Sequence, residues 1–289
     1  MFRNAVEQVV GSVRPIHVIR RRYGDNAILP DIGTLFFVND NGYAITSKRT
    51  ANIVAATEAT EKQYRTFLEN RNRLLHDEGY RFQEKRLENE FKYSRDSIIQ
   101  LRFAFMGCAE GQVRVECISH PKYDLALLHF TSDHPYLYRT HVTFAKEAPK
   151  QGQTVCRLGF AVPEFNNFAF NSEKDAIEFV KEGKTNAATF ASDGMVTRFI
   201  VDDERTFGVE TTNPCPQGMI GAPLFDTDGH VLGMQSGGTG FMMLGSDVTV
   251  TLPNDEKIVD RGSIRLSICI HPDVIKDFLR AHNVRFFEA

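Results

Sequence analysis

Apolar and polar positions along this chain fall into short runs bounded by turn residues, which is the pattern of β-strands joined by tight turns. Residues 4–13 predict a short opening helix or strand, and 16–19 a strand after Pro15. A longer apolar run, rich in β-branched and aromatic residues, covers 28–38 and meets the turn Asn39-Asp40-Asn41-Gly42. The chain resumes as Tyr43-Ala44-Ile45-Thr46, so 28–46 reads as a β-hairpin. Further strands are expected at 98–103, 113–118, 231–238 and 267–270. A polar loop rich in Asn and Glu lies after 160, and Asp273 is expected to cap a closing helix that carries Phe278 and Leu279.

One stretch breaks the pattern. Across 57–97 the apolar residues Tyr64, Phe67, Leu68, Leu74 and Leu75, then Leu87 and Phe91 after Gly79, recur at helical spacing among many charges. It predicts one long helix or a helical hairpin inserted into a β domain and packed against it, with a partner-binding arm as the other reading. Pro149 and Gly152 mark a junction between two halves, giving units of 1–145 and 146–289. No repeat and no low-complexity tract is evident.

Composition narrows the class. The chain has 289 residues, 42% apolar and 25% charged, which is ordinary for a globular protein with a substantial core. A formal net charge of −3 gives no general attraction for nucleic acid or anionic membranes. The run Arg20-Arg21-Arg22 reads as a solvated strand edge. No secretory signal and no membrane-length apolar run is present, and the five cysteines are odd in number and widely spaced. These features lead to the expectation of a cytoplasmic protein with free buried thiols. No CxxC, HExxH or paired Cys/His spacing predicts a metal or other cofactor.

Candidate chemistry centres on Gly218-Met219-Ile220-Gly221-Ala222-Pro223. Acyl transfer needs an activated nucleophile, a base and backbone donors for the oxyanion. The stretch resembles, without a gap, the Gly-Asx-Ser-Gly-Gly-Pro motif of trypsin-like serine proteases, with Ile220 in the place of the nucleophile. The hairpin 33–46 is similar to the one leading to the catalytic histidine of bacterial trypsin-like peptidases. There Thr46-Ser47-Lys48-Arg49 puts Arg49 where the family has the base. The segment 120–128 resembles the one carrying the family's aspartate, with Asp124 as its counterpart. The stretch Gln235-Ser236-Gly237-Gly238 resembles the strand that pairs with substrate backbone.

The resemblance implies an all-β, two-barrel trypsin-like fold, here with a helical insertion and a C-terminal helix. It also implies a degenerate triad of Arg49, Asp124 and Ile220, an oxyanion-hole remnant at Gly218 and Ile220, and a peptide-binding strand at Gln235, Ser236, Gly237 and Gly238. A guanidinium stays protonated and cannot accept a proton near neutral pH, and a hydrocarbon cannot attack. The leading expectation is therefore a pseudoprotease that binds a peptide or protein, with Arg49 and Asp124 paired as ions in place of the histidine. Two others stand beside it: a hydrolase built on Cys215 with His230 or His129 as base, and a regulator or scaffold acting through the insertion.

Overall fold

The computed structural model describes residues 1–74, 80–109, 113–132, 140–203 and 205–289, with the side chains of 238–248 and 260–265 outside that description. Leu75 and Gly79 of the helical pattern lie outside it. The first half opens with helix α1 (Arg3–Val9) and continues as a six-stranded antiparallel sheet. Its strands are β1 (Val13–Arg22), β2 (Ile28–Phe37), β3 (Tyr43–Thr46), β4 (Ile98–Phe105), β5 (Val113–Ser119) and β6 (Ala126–Ser132), in the order β4-β1-β2-β3-β6-β5.

Between β3 and β4 stand helix α2 (Lys48–Leu74) and helix α3 (Tyr80–Glu90). The first begins at Lys48 rather than at 57 because Ser47 caps it. Its Oγ accepts the N–H of Thr50 at 3.1 Å and its carbonyl that of Ala51 at 3.0 Å. Neither helix has a broad apolar face. What binds them to the sheet is a small cluster of Tyr64, Phe67, Leu87 and Ile99, onto which Tyr23, Phe91 and Tyr93 pack. Phe67 is fully buried there.

The second half comprises β7 (Thr143–Phe144), β8 (Thr154–Gly159), β9 (Phe168–Asn171), β10 (Ala176–Phe179), β11 (Phe190–Val201), β12 (Thr206–Thr211), β13 (Pro223–Phe225), β14 (His230–Thr251) and β15 (Lys257–Ile270). The order β13-β8-β11-β12-β15-β14, with β13 pairing back onto β14, closes a barrel of six strands, and β7 adds in parallel to β14. Helix α4 (Pro272–Ala281) closes the chain. Its cap is His271, whose Nδ1 accepts the Asp273 N–H at 3.3 Å, so Asp273 sits in the first turn and is not the cap. The all-β, two-barrel architecture with helical insertion and C-terminal helix matches the expectation. Among the described residues no helix is long and apolar enough to cross a membrane.

The main core runs between the halves. One cluster joins Ala5, Val9, Ile32 and Phe36 to Leu158, Phe160, Phe225 and Val231 and to the buried face of α4. Each half also reaches across to the other. From the first, Phe2 at the start of α1 meets Phe225 edge-on with ring centres 6.3 Å apart. From the second, the segment 160–189, read from its Asn and Glu content as a polar loop, forms the hairpin β9-β10 and straps over β1 and β4.

The strap is held at two points. At its root Phe165 stacks on His17 with ring centres 3.9 Å apart. His17 is fully buried, neither ring nitrogen has a hydrogen-bond partner among the described residues, and burial lowers its pKa to about 4. At its tip Asp175, in the left-handed region at φ 46°, pairs with Arg21 at 2.9 Å and accepts from Tyr64 Oη at 2.7 Å. Its carbonyl accepts from Gln100 Nε2 at 2.6 Å. The expected solvated arginine edge is thereby corrected. Strand β1 lies between β2 and β4, Arg21 is buried beneath the strap, Arg20 pairs with Asp31, and Arg22 lies 3.7 Å from Asp96.

Candidate functional site

The cleft forms where β2, the start of α2 and the loop before β13 converge. Residues Gln217–Met219 make one turn of 3₁₀ helix, opened by Pro216, whose carbonyl accepts the Met219 N–H at 3.0 Å. Steric room dictates the glycines in and just after this turn. A Cβ on Gly218 would stand 2.3 Å from the Phe160 carbonyl oxygen, and one on Gly221 2.1 Å from that of Thr34. Gly221 also has φ of 94°, a conformation side-chain-bearing residues rarely adopt.

Thr34 is the anchor that motif reading overlooked. Fully buried on β2, its Oγ1 donates to the Gly218 carbonyl at 2.8 Å and accepts the Phe160 N–H at 3.2 Å. Its backbone N–H donates to the Ile220 carbonyl at 3.2 Å, and its own carbonyl accepts from Thr46 Oγ1 at 2.8 Å. One threonine thus ties the loop to both halves. The only sequence signal for it is its place after Gly33 at the start of the recognised hairpin.

Arg49 and Ile220 line one cavity of about 30 Å³, with Asp31, Gly33, Thr50 and Gln217. Ile220 is buried. Its N–H, one of the two donors expected of an oxyanion hole, is directed at the Gln217 carbonyl at 3.3 Å. The Gly218 N–H belongs to the same turn. The hydroxyl at this cavity, Thr50 Oγ1, shares a 2.9 Å hydrogen bond with Ser47 Oγ.

Asp124 is brought to the same place but not into the pairing expected for it. Its Oδ1 accepts the backbone N–H of Arg49 at 3.0 Å and its Oδ2 that of Gly237 at 2.7 Å. Among the described residues the Arg49 guanidinium makes no ion pair with Asp124 within 4 Å. It extends instead over Gly237, with Cδ 3.7 Å and Nη1 3.9 Å from where a Gly237 Cβ would stand. Backbone amides satisfy this carboxylate at less conformational cost than a flexible guanidinium would.

The strand 235–238 leaves its ladder here. Pairing of β14 with β15 is regular at Gln235↔Cys269, shifts, and resumes at Thr239↔Ser267. Gln235 is bound to the loop through both backbone groups: its N–H to the Ala222 carbonyl and its carbonyl to the Gly221 N–H, each at 2.8 Å. Ser236 contributes a carbonyl that accepts Gln235 Nε2 at 2.6 Å, and Gly238 follows in the same strand.

The cysteine reading finds no such convergence. Cys215 is partly buried, donates to the Pro216 carbonyl at 3.3 Å, and burial pushes its thiol up to about 11, so it stays neutral near pH 7. His129 stacks on Tyr43 with ring centres 4.0 Å apart on the first sheet, and His230 lies 3.7 Å from Asp226 on the β13–β14 turn. Among the described residues neither imidazole bonds to Cys215. Of the other thiols, Cys108, Cys156 and Cys269 are buried, whereas Cys117 is exposed, contrary to expectation.

Beneath Cys215 lies a group that the sequence pattern hid. Arg157 is fully buried on β8 and donates to the Pro214 carbonyl at 3.1 Å and to Thr211 Oγ1 and Asn213 Oδ1 at 3.2 Å each. It fastens the loop that leads into the 3₁₀ turn. Away from the cleft, ligand atoms of Asp226, Asp228 and His230 lie within 4.8 Å of one another. That closeness follows from the turn itself, in which Asp226 Oδ1 accepts the N–H of both Asp228 and His230 at 2.9 Å.

The family model of the trypsin-like peptidase domain matches residues 33–234, more than half of the chain and the whole stretch from the β2 anchor to the strand after the 3₁₀ turn. No curated protein matches the chain.

Proposed function

The chain belongs to the trypsin-like peptidase family, and from that membership we propose that it is a member without peptidase activity that binds a peptide or protein in the inter-barrel cleft. What carries the reading is the pair of side chains lining the cavity: a hydrocarbon, Ile220, and a permanently charged guanidinium, Arg49. Neither can act as attacker or base near neutral pH. Supporting it, the Ile220 N–H is engaged by Gln217, and both oxygens of Asp124 are held by backbone N–H groups. The thiol of Cys215 is neutral and lacks an imidazole partner among the described residues.

The retained frame favours binding over a purely structural role. The β14 ladder with β15 shifts register between Gln235 and Thr239, and Gly237 within that stretch lies against Asp124 and Arg49, so an added chain that docks along it would meet both. Two measurements on one preparation test this: hydrolysis of a broad peptide library with fluorophosphonate labelling, and binding of the same library. Binding with neither cleavage nor labelling is expected. Cleavage that co-purifies with the protein and disappears in Cys215→Ala or Thr50→Ala would overturn it.

A further inference from the structure

We infer that the peptide accepted by this cleft presents a carboxylate and that Arg49 receives it. The inference deepens the binding reading above and rests on it. Arg49 is exposed; its backbone N–H donates to Asp124, and among the described residues its guanidinium makes no hydrogen bond or ion pair. The guanidinium lies along Gly237, in the strand segment that has left its ladder, so a chain pairing there passes within reach of it. A side chain at 237 would stand between the two. Glycine leaves the approach open.

Charge around the cleft entrance favours an anion. Lys48 stands next to Arg49, and its Nζ donates to the carbonyls of His120 at 2.9 Å and Pro121 at 3.2 Å, partners that leave its charge unneutralised. Asp31, which lines the same cavity, is taken by Arg20 and by Gln217 Nε2 at 3.4 Å. Asp124 offsets one of the two positive charges, and its oxygens point at backbone N–H groups. One positive charge is left over beside the cavity. Guanidinium donors match a carboxylate in pairs, a geometry that neither a hydroxyl nor an amide ligand reproduces. The cavity of about 30 Å³ between Arg49, Gln217 and Ile220 exceeds the roughly 10–15 Å³ that a water needs, enough for one oxygen of such a group.

The carboxylate can come from an Asp or Glu side chain or from a free C-terminus, and three arms of one binding experiment separate these sources. Extended peptides with amidated ends and a single Glu are compared with the same peptides carrying Gln, and with neutral peptides ending in a free carboxylate. At least one carboxylate arm is expected to bind about ten- to a hundredfold more tightly than the Gln arm, and the arm that does identifies the source. Arg49→Gln is expected to bring the arms to equal affinity, with Arg49→Lys between. Equal binding of all arms by the unaltered protein, or a carboxylate preference that survives Arg49→Gln, overturns the inference and leaves the binding reading standing. No binding in any arm overturns both.

Discussion

The loop Gln217–Pro223 and the helical pair α2–α3 are opposites. In the loop the requirement is atomic: Gly218 and Gly221 face carbonyl oxygens at distances no Cβ can share, and Thr34 satisfies groups on three sides. In the helices it is diffuse. A thin stripe around Phe67 makes the attachment, charges cover the remainder, and Phe82 is 77% exposed. Residue identity is therefore legible in the loop one position at a time, whereas in the helices only the average of many positions carries information.

That contrast can be broken or sharpened by substitution. Gly218→Ala is expected to cost about 4 kcal/mol or more, because two backbone carbonyls and Ile32 crowd the new methyl and nothing flexible can yield. Denaturant midpoints would show it, and a loss under about 1 kcal/mol would mean that the loop is looser than described. Phe67→Ala should cost about 3–5 kcal/mol by opening a cavity in the cluster that joins the helices to β4. Hydrogen exchange should then rise in α2 and α3 first, and equal rises throughout the protein would show that the helices are not a separate layer.

The strap supplies an intermediate case through His17. The unfolded chain binds a proton at this imidazole below pH about 6.5, whereas the folded one does so only near 4. The contribution of this group to stability is therefore complete above about pH 6.5 and is lost as pH drops toward 4, by roughly 3 kcal/mol in all at about 1.4 kcal/mol per unit. His17→Phe should flatten this part of the melting-temperature profile against pH. An unchanged slope would assign the acid sensitivity elsewhere.

Thr34→Val keeps the shape and removes the hydroxyl that bonds Gly218 and Phe160, at an expected cost of about 1–3 kcal/mol. Phe82→Ala should change stability by less than about 0.5 kcal/mol. A larger loss would mean that this exposed ring packs against something in the folded protein.

Legibility followed the range of the deciding contact. The hairpin 28–46 could be read from the chain because its own turn dictates it, and the glycines before β13 because they fall in a known motif, although the carbonyls that exclude a Cβ there come from Phe160 and Thr34, far along the chain. The burial of Arg21 could not, since Asp175 and Tyr64 reach it from distant segments. Arg157 lay hidden in an apolar strand pattern for the same reason: its acceptors come from the loop 211–214. At the site, the chemistry of Arg49, Asp124 and Ile220 was plain from their side chains. The direction of the Asp124 carboxylate was set by backbone N–H groups, which residue types do not reveal. The start of α2 at Lys48 rests on a local signal, a serine just before a helical run, because Ser47 caps the helix.

The reciprocal reach of α1 and the strap has a mechanical consequence. Each barrel lends the other a limb, so cutting the chain at the midpoint would amputate part of both interiors: one fragment would keep Phe2 without Phe225, the other Phe165 without His17. Cross-braced in this way, the two barrels should melt in a single cooperative step, and a cleft suspended between them inherits the rigidity of the whole frame.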